Sequence, residues 1–226
     1  MSTTRILLWI GFALLACGGA YAQEELGYHP RYTTNVGTVI TVPLNPASQF
    51  TNIGWGFTGG AGYDLTRNQA VVAEFLWNKL YPTGSALQPV QVAFNRAQLG
   101  AYSNLFAVTG NYRYELHGNT LGVYFIGGGG WYFRNGKITH QVAIGTGVSC
   151  DPAWTWWGYS CQSGKVTTGL GPSVYTSNAL GINGGVGFTV RVGEPLYKFY
   201  IEARYHYAPT QTVNIQVVNI SVGIRY

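Results

Sequence analysis

The last nine residues, VNISVGIRY (218–226), put Val218, Ile220, Val222, Ile224 and Tyr226 on one parity and Asn219, Ser221, Gly223 and Arg225 on the other. A strand points successive side chains to opposite faces, so this segment has one wholly apolar face and one small, polar or charged face. A strand of this kind separates two solvents. In FYIEARYHY (199–207), Phe199, Ile201, Ala203, Tyr205 and Tyr207 likewise oppose Tyr200, Glu202, Arg204 and His206. In LGINGGVGFTVRV (180–192), Leu180, Ile182, Val186, Phe188, Val190 and Val192 oppose Asn183, Thr189 and Arg191.

Read throughout for this period, the chain predicts about eight strands. Their cores fall at 32–42, 53–65, 69–80, 104–116, 121–134, 180–192, 198–208 and 216–226. Short, turn-forming connections near Thr66-Arg67-Asn68, His117-Gly118-Asn119-Thr120 and Gly193-Glu194-Pro195 alternate with mostly longer ones at 43–52, 81–103, 135–179 and 209–215. All short turns then gather at one end of the sheet and all long loops, 135–179 being the longest, at the other. An even strand count brings both termini to the short-turn end.

Composition selects the solvent. Charged residues make up 9% of the chain and aromatics 15%, with 32 glycines, against roughly 25% charged in an average soluble protein. The mean hydropathy is nevertheless close to neutral, and the apolar run from Ile6 to Cys17 is shorter than the about 20 residues a spanning helix needs. A transmembrane β-barrel reconciles these facts, because a polar lumen dilutes its lipid-facing residues one in two. The predicted fold is therefore all-β, an antiparallel up-and-down barrel. The rival is a soluble secreted β-sandwich, which would bury its apolar face and need no detergent.

The N-terminus predicts export. Arg5, the apolar stretch ILLWIGFALLAC and the small-x-small site Ala20-Tyr21-Ala22 form a cleavable signal peptide over residues 1–22, leaving a single domain over 23–226. Leu14-Leu15-Ala16-Cys17 is an alternative lipidation site, with the bulky Leu15 against it. Once the leader is removed, Cys150 and Cys161 remain, with ten residues between them. In an oxidising compartment they are expected to form a disulfide, worth about 3 kcal/mol in the chain-entropy model. No His or second Cys pair stands at ligand spacing to make them a metal site.

By parity Glu74, Arg113, Glu115, Arg191, Glu202, Arg204 and Arg225 share the non-apolar side, and His206 follows Glu202 by four residues on the same face. A barrel of about eight strands has little spare interior, so these groups are expected to pair inside a filled lumen. The runs Gly127-Gly128-Gly129-Gly130 and Gly181-x-x-Gly184-Gly185-x-Gly187 precede no helix and no suitably placed Lys and Ser/Thr, which argues against a phosphate-cradling loop. Glycine there lets a small barrel bend and makes room for large neighbours.

The C-terminal strand resembles the sorting signal of bacterial outer-membrane proteins, which ends on an aromatic and is read by the barrel-insertion machinery. Together with LGVYFIGGGGWYFR, CDPAWTWWGYSC, GGVGFTVRVGE and KFYIEARYHYAPT, it resembles the outer-membrane β-barrel domain family of small OmpA/OmpX-like proteins, in a variant of acidobacterial type. The resemblance covers most of the chain after the leader. It implies an eight-stranded barrel in the outer membrane with extracellular loops and periplasmic termini, in contact with outer-membrane lipid. It implies a location more than an activity: members are stabilising surface proteins, adhesins or, in an OmpW-like branch, small conduits for apolar molecules.

Three readings of function follow. The first is a non-enzymatic surface barrel, adhesin-like or envelope-stabilising, whose Trp154, Trp156, Trp157 and Tyr159 stack on an extracellular glycan or protein. The same rings would otherwise pack as a minicore of the long loop or anchor at the headgroup level with Trp131. The second is a small channel or hydrophobic conduit. The third is a lipid-modifying enzyme, for which His206 beside Glu202 lacks a nucleophile. No cofactor is expected. The 13 basic and 8 acidic residues are scattered without a basic run, which argues against nucleic acid.

Overall fold

The computed structural model describes residues 32–86, 88, 101–118, 120–138, 149–151, 160–162, 174–191, 197–210 and 213–226. The leader read at residues 1–22 lies outside them. Its strands are β1 (Tyr32–Pro43), β2 (Gly54–Asp64), β3 (Gln69–Leu80), β4 (Ala101–His117), β5 (Leu121–Ile138), β6 (Ser149–Asp151), β7 (Ser160–Gln162), β8 (Val174–Arg191), β9 (Lys198–Ala208) and β10 (Ile215–Arg225). Eight of them close a barrel in the order β1-β10-β9-β8-β5-β4-β3-β2, and β6 pairs with β7 as a separate hairpin.

Each neighbouring pair is antiparallel, and β10 closes the ring on β1 over nine register positions from Asn35 opposite Arg225 to Pro43 opposite Val217. Five of the wall strands, β1, β2, β3, β9 and β10, are 11 or 12 residues long, close to the about 9–11 that a tilted strand needs to cross a bilayer.

The other three, β4, β5 and β8, run to 17 or 18 residues and exceed the predicted cores at 104–116, 121–134 and 180–192. The reason is physical. Hydrophobic alternation reports contact with lipid, whereas the ladder reports backbone pairing, and pairing continues where both faces have turned polar. Asn104 still stands opposite Asn135, and Asn135 opposite Thr176. The connection expected at 135–179 is accordingly shorter and carries the β6–β7 hairpin. The connection after β1 holds a 3-10 turn at Ala47–Gln49 behind a cis Asn45-Pro46 bond.

The middle of the outer wall is predominantly apolar. Val36, Ile40, Trp55, Phe57, Val71, Phe75, Val108, Phe125, Ile182, Val186, Phe188, Ile201, Ile220 and Val222 all face outward and are exposed, Ile182 at 64% and Leu180 at 75%. A soluble protein would not leave so continuous an apolar surface in water. At the short-turn end Tyr32 meets Tyr63 edge-on at 5.6 Å, and Tyr197 meets Tyr226 at 5.6 Å. Toward the opposite end Trp55 meets Trp77 edge-on and Phe106 meets Phe133, with Tyr81 and Tyr205 exposed beside them. Aromatic girdles at both interfaces mark a membrane barrel.

Candidate functional site

The interior is built by the inward parity of each strand. From the short-turn end upward, β3 contributes Ala70, Val72, Glu74, Leu76, Asn78 and Leu80, and β9 contributes Tyr200, Glu202, Arg204, His206 and Ala208. Glycines on neighbouring strands make room for the large members. A Cβ at Gly187 would collide with the Tyr124 ring, and one at Gly37 or Gly223 with that of Tyr200.

Near the short turns, Glu115 gathers four partners. Its Oε1 accepts from Lys198 Nζ at 2.8 Å and Thr189 Oγ1 at 3.1 Å, and lies 3.4 Å from His117 Nε2, while Oε2 is 3.5 Å from Arg225 Nη1. The Arg225 guanidinium lies over the Tyr124 ring at 4.3 Å and the Tyr200 ring at 5.2 Å. Cation–π contact of this kind holds a desolvated guanidinium at low cost. Beside it, Arg113 is 3.6 Å from Asp64 and donates to Thr33 Oγ1 at 3.3 Å.

At mid-height the network crosses the lumen. Arg204 donates through Nε to Glu202 Oε1 at 2.8 Å and through Nη1 to Glu74 Oε2. Asn35 and Asn111 donate to the two Glu74 oxygens at 3.0 and 2.6 Å, and Asn183 donates to Asn111 Oδ1 at 2.9 Å. Tyr124 OH donates to Glu202 Oε2 at 2.9 Å. Buried charges are tolerated when paired and hydrogen-bonded in this way.

Above that level apolar side chains gather among the buried Thr41, Asn78, Ser103 and Arg134. Val39, Leu76, Leu80, Ala101, Leu105, Ala107, Ala208, Ile215 and Val217 pack together with Ala47, Ala86 and Val213 from the long connections. Tyr132 joins the two layers, since it belongs to this cluster while its hydroxyl is 2.9 Å from His206 Nδ1. Between the layers lies a cavity of about 10 Å³, lined among others by Glu74, His206, Asn219 and Ser221, about one water probe in size. Close by, Thr41 Oγ1, Asn78 Oδ1 and Asn219 Nδ2 are buried with no hydrogen-bond partner among the described residues.

Of the residues singled out from the sequence, Glu74, Arg113, Glu115, Glu202, Arg204 and His206 are buried inside. Glu202 is engaged by Arg204 and Tyr124, and His206 by Tyr132, rather than by each other. Arg191 requires correction as a lumen residue. It ends β8 opposite Lys198 and is exposed, because the wall stops there and its long side chain sits at the mouth. Cys150 stands directly opposite Cys161 in the β6–β7 register. Trp154, Trp156, Trp157 and Tyr159 lie outside the described residues. Val218, Ile220, Val222 and Ile224 face outward on β10, and the Tyr226 backbone exchanges hydrogen bonds of 2.8 and 2.9 Å with Thr34.

Sequence reasoning missed Lys198, Arg134, Tyr124, Tyr132, Asn35 and Asn111, and it noted Arg225 and Asn183 only by their parity. Parity alone could have nominated Asn111 with Arg113 and Lys198 with Tyr200; nothing local marked Tyr124 as the stacking partner of Arg225. Among the described residues no group of His, Cys, Asp and Glu converges as a metal site.

No curated protein matches the chain. Among solved structures, a major outer membrane protein from Thermus thermophilus aligns with 11% identity over 88% of this chain and 99% of that one, at a TM-score of 0.55. OprG from Pseudomonas aeruginosa aligns with 13% identity over 86% and 94%, at 0.47. Ail, the attachment invasion locus protein of Yersinia pestis, aligns with 11% identity over 86% and 96%, at 0.44. At such identities the likeness is one of fold. The family model for the outer membrane protein beta-barrel domain matches residues 10–226, and with the closed eight-stranded wall it establishes that the chain belongs to that family of outer-membrane proteins.

Proposed function

We propose that this is a non-enzymatic outer-membrane barrel that works through its surface, by adhesin-like binding at its loops or by stabilising the envelope, with an interior closed to flow. One observation carries the reading: the lumen is filled twice, by the Glu74–Arg204–Glu202 network at mid-height and by the Leu76, Leu80, Leu105, Ile215 and Val217 layer above it. A cavity of about 10 Å³ between them leaves no room for a hydrated solute. What remains for function is the outside of the molecule.

In this reading the long connections face the medium and both termini the periplasm, as tight turns and long loops do in outer-membrane barrels. Cys150 and Cys161 form a disulfide, and the sequence between them supplies Trp154, Trp156, Trp157 and Tyr159 for stacking on a glycan or a protein. The outward alternation of β10, ending on Tyr226, serves the barrel-insertion machinery.

Planar-bilayer recording with the refolded mature chain is the test. A silent, heat-modifiable barrel supports the reading, and attention moves to glycan and protein binding by variants of the Trp loop. Steady conductance that changes with Glu74→Gln would replace it with a small conduit. A lipid-modifying activity lost with His206→Ala in a folded barrel would replace it with an enzyme.

A further inference from the structure

The outer face of β2–β5 carries a pattern that its neighbours lack. Cross-strand register sets Phe57 beside Trp77, Trp77 beside Phe106 and Phe106 beside Phe133, so four adjacent strands present a ring at one height. Phe57 and Trp77 lie 5.3 Å apart between centroids, Phe106 and Phe133 6.1 Å, and Trp55 meets Trp77 edge-on at 5.5 Å. On the flanking strands the positions opposite Phe133 and Phe57 are Asn178 and Thr38, which ends the row on both sides.

Two residues nearer the long connections, the same strands bring Trp55, Lys79, Asn104 and Asn135 side by side. Lys79 Nζ stands 4.8 Å from the centre of the Tyr102 ring and 5.6 Å from that of Tyr81. Asn104 donates to Asn135 Oδ1 at 3.1 Å. Beyond them the register puts Lys137 opposite Tyr102. Among the described wall residues at this end, charge has one sign. Among the described acids, Glu74, Glu115 and Glu202 are buried in the lumen, Asp64 sits by Arg113 at the other end, and Asp151 belongs to the β6–β7 hairpin.

An ammonium held on ring faces, set above a row of rings where the apolar wall ends, has the chemistry of a lipid's two halves. An anionic phosphate meets the cation while acyl chains lie along the rings. We propose that Lys79, Tyr81, Tyr102 and the Phe57–Trp77–Phe106–Phe133 row form a preferred binding site for a phosphate-bearing lipid of the leaflet at the long-loop end. The rings supply contact with any acyl chain, and Lys79 supplies the preference for phosphate.

The experiment is native mass spectrometry of the folded barrel released from micelles containing phosphatidylglycerol or a neutral galactosyl-diacylglycerol with the same acyl chains. The expected result is about fivefold greater retention of phosphatidylglycerol, as one interfacial cation would give. That preference is lost in Lys79→Gln and kept in Lys79→Arg, with heat-modifiable mobility unchanged. Equal retention of the two lipids, or a preference that survives Lys79→Gln, overturns the site. Inorganic phosphate that binds alone and displaces the preference identifies a free-anion site and overturns the lipid assignment. Should Lys79→Gln fail to fold, the wild type is compared at low and about 1 M salt, where screening over about 3 Å abolishes the preference; a preference that persists at high salt overturns the proposal.

Discussion

Arg204 and Glu74, 130 residues apart in sequence, are hydrogen-bonded across the lumen from strands that lie four places apart in the ring of eight. They are diametrically opposed, so this contact ties the two sides of the barrel together through its centre. Glu202 on the same strand as Arg204, and Asn35 and Asn111 from β1 and β4, complete the coordination of the pair.

Removing one partner of this pair is the sharpest test of the network. Glu74→Gln leaves the Arg204 guanidinium under-compensated in a buried site and is expected to cost about 3–5 kcal/mol. Urea unfolding in detergent, read by heat-modifiable mobility, measures it. Adding Arg204→Met to Glu74→Gln should recover part of the loss; a cycle with no coupling between the two positions would refute the assignment.

The two filled layers predict that they must fail together before the barrel conducts. Leu80→Ala and Leu105→Ala each cost about 2–5 kcal/mol, because neither buried site can collapse fully. Glu74→Gln alone leaves a bilayer silent, since the apolar layer stays intact, and steady current appears only when it is combined with both Leu changes. Current from Glu74→Gln alone would show that the upper layer is no seal.

Asn78 and Asn219 have an opposite expectation. Their amides meet at 3.5 Å, while Asn78 Oδ1 and Asn219 Nδ2 are buried without partners among the described residues. Replacing both by Leu is expected to leave stability unchanged or raise it by about 1 kcal/mol, because two under-satisfied amides disappear together. A loss of several kcal/mol in the unfolding free energy would mean that these amides make contacts of real value.

Gly187 is required by the ring of Tyr124. Gly187→Ala overpacks the lumen and costs about 1–3 kcal/mol. Tyr124→Leu in the same chain should relieve the clash while removing the face on which Arg225 rests. Unfolding midpoints of the two single variants and the double variant decide it; a double variant that shows no relief would rule out the steric cause.

Cys150 and Cys161, opposed in the β6–β7 register, are expected to be oxidised in the exported protein. Thiol labelling after denaturation without reductant should find no reactive Cys in the mature chain. Two reactive thiols would contradict the disulfide.

Much of the wall was legible because lipid and lumen impose a period of two that each strand carries locally. FYIEARYHY declared both faces of β9, and VNISVGIRY those of β10, before any partner was known. The ends of β4, β5 and β8 were not legible, since the last stretches of their ladders pair polar residues with polar residues. Arg191 shows the same limit from the other side: parity names a face, but only the end of the wall says whether that face is still interior.

The sequence by itself determined the number of wall strands, the lipid-facing residues, the alternation of short and long connections and most of the inward charges, Arg191, Lys198 and Arg134 excepted. These follow from local alternation and turn chemistry. Only the tertiary structure decided which inward groups meet. Closing the barrel staggers each strand against the next, and that accumulated offset puts Arg204 level with Glu74, Arg225 between Tyr124 and Tyr200, and Leu80 beside Leu105 in an apolar upper layer. Height along the axis is a property of the whole ring, and no single strand encodes it.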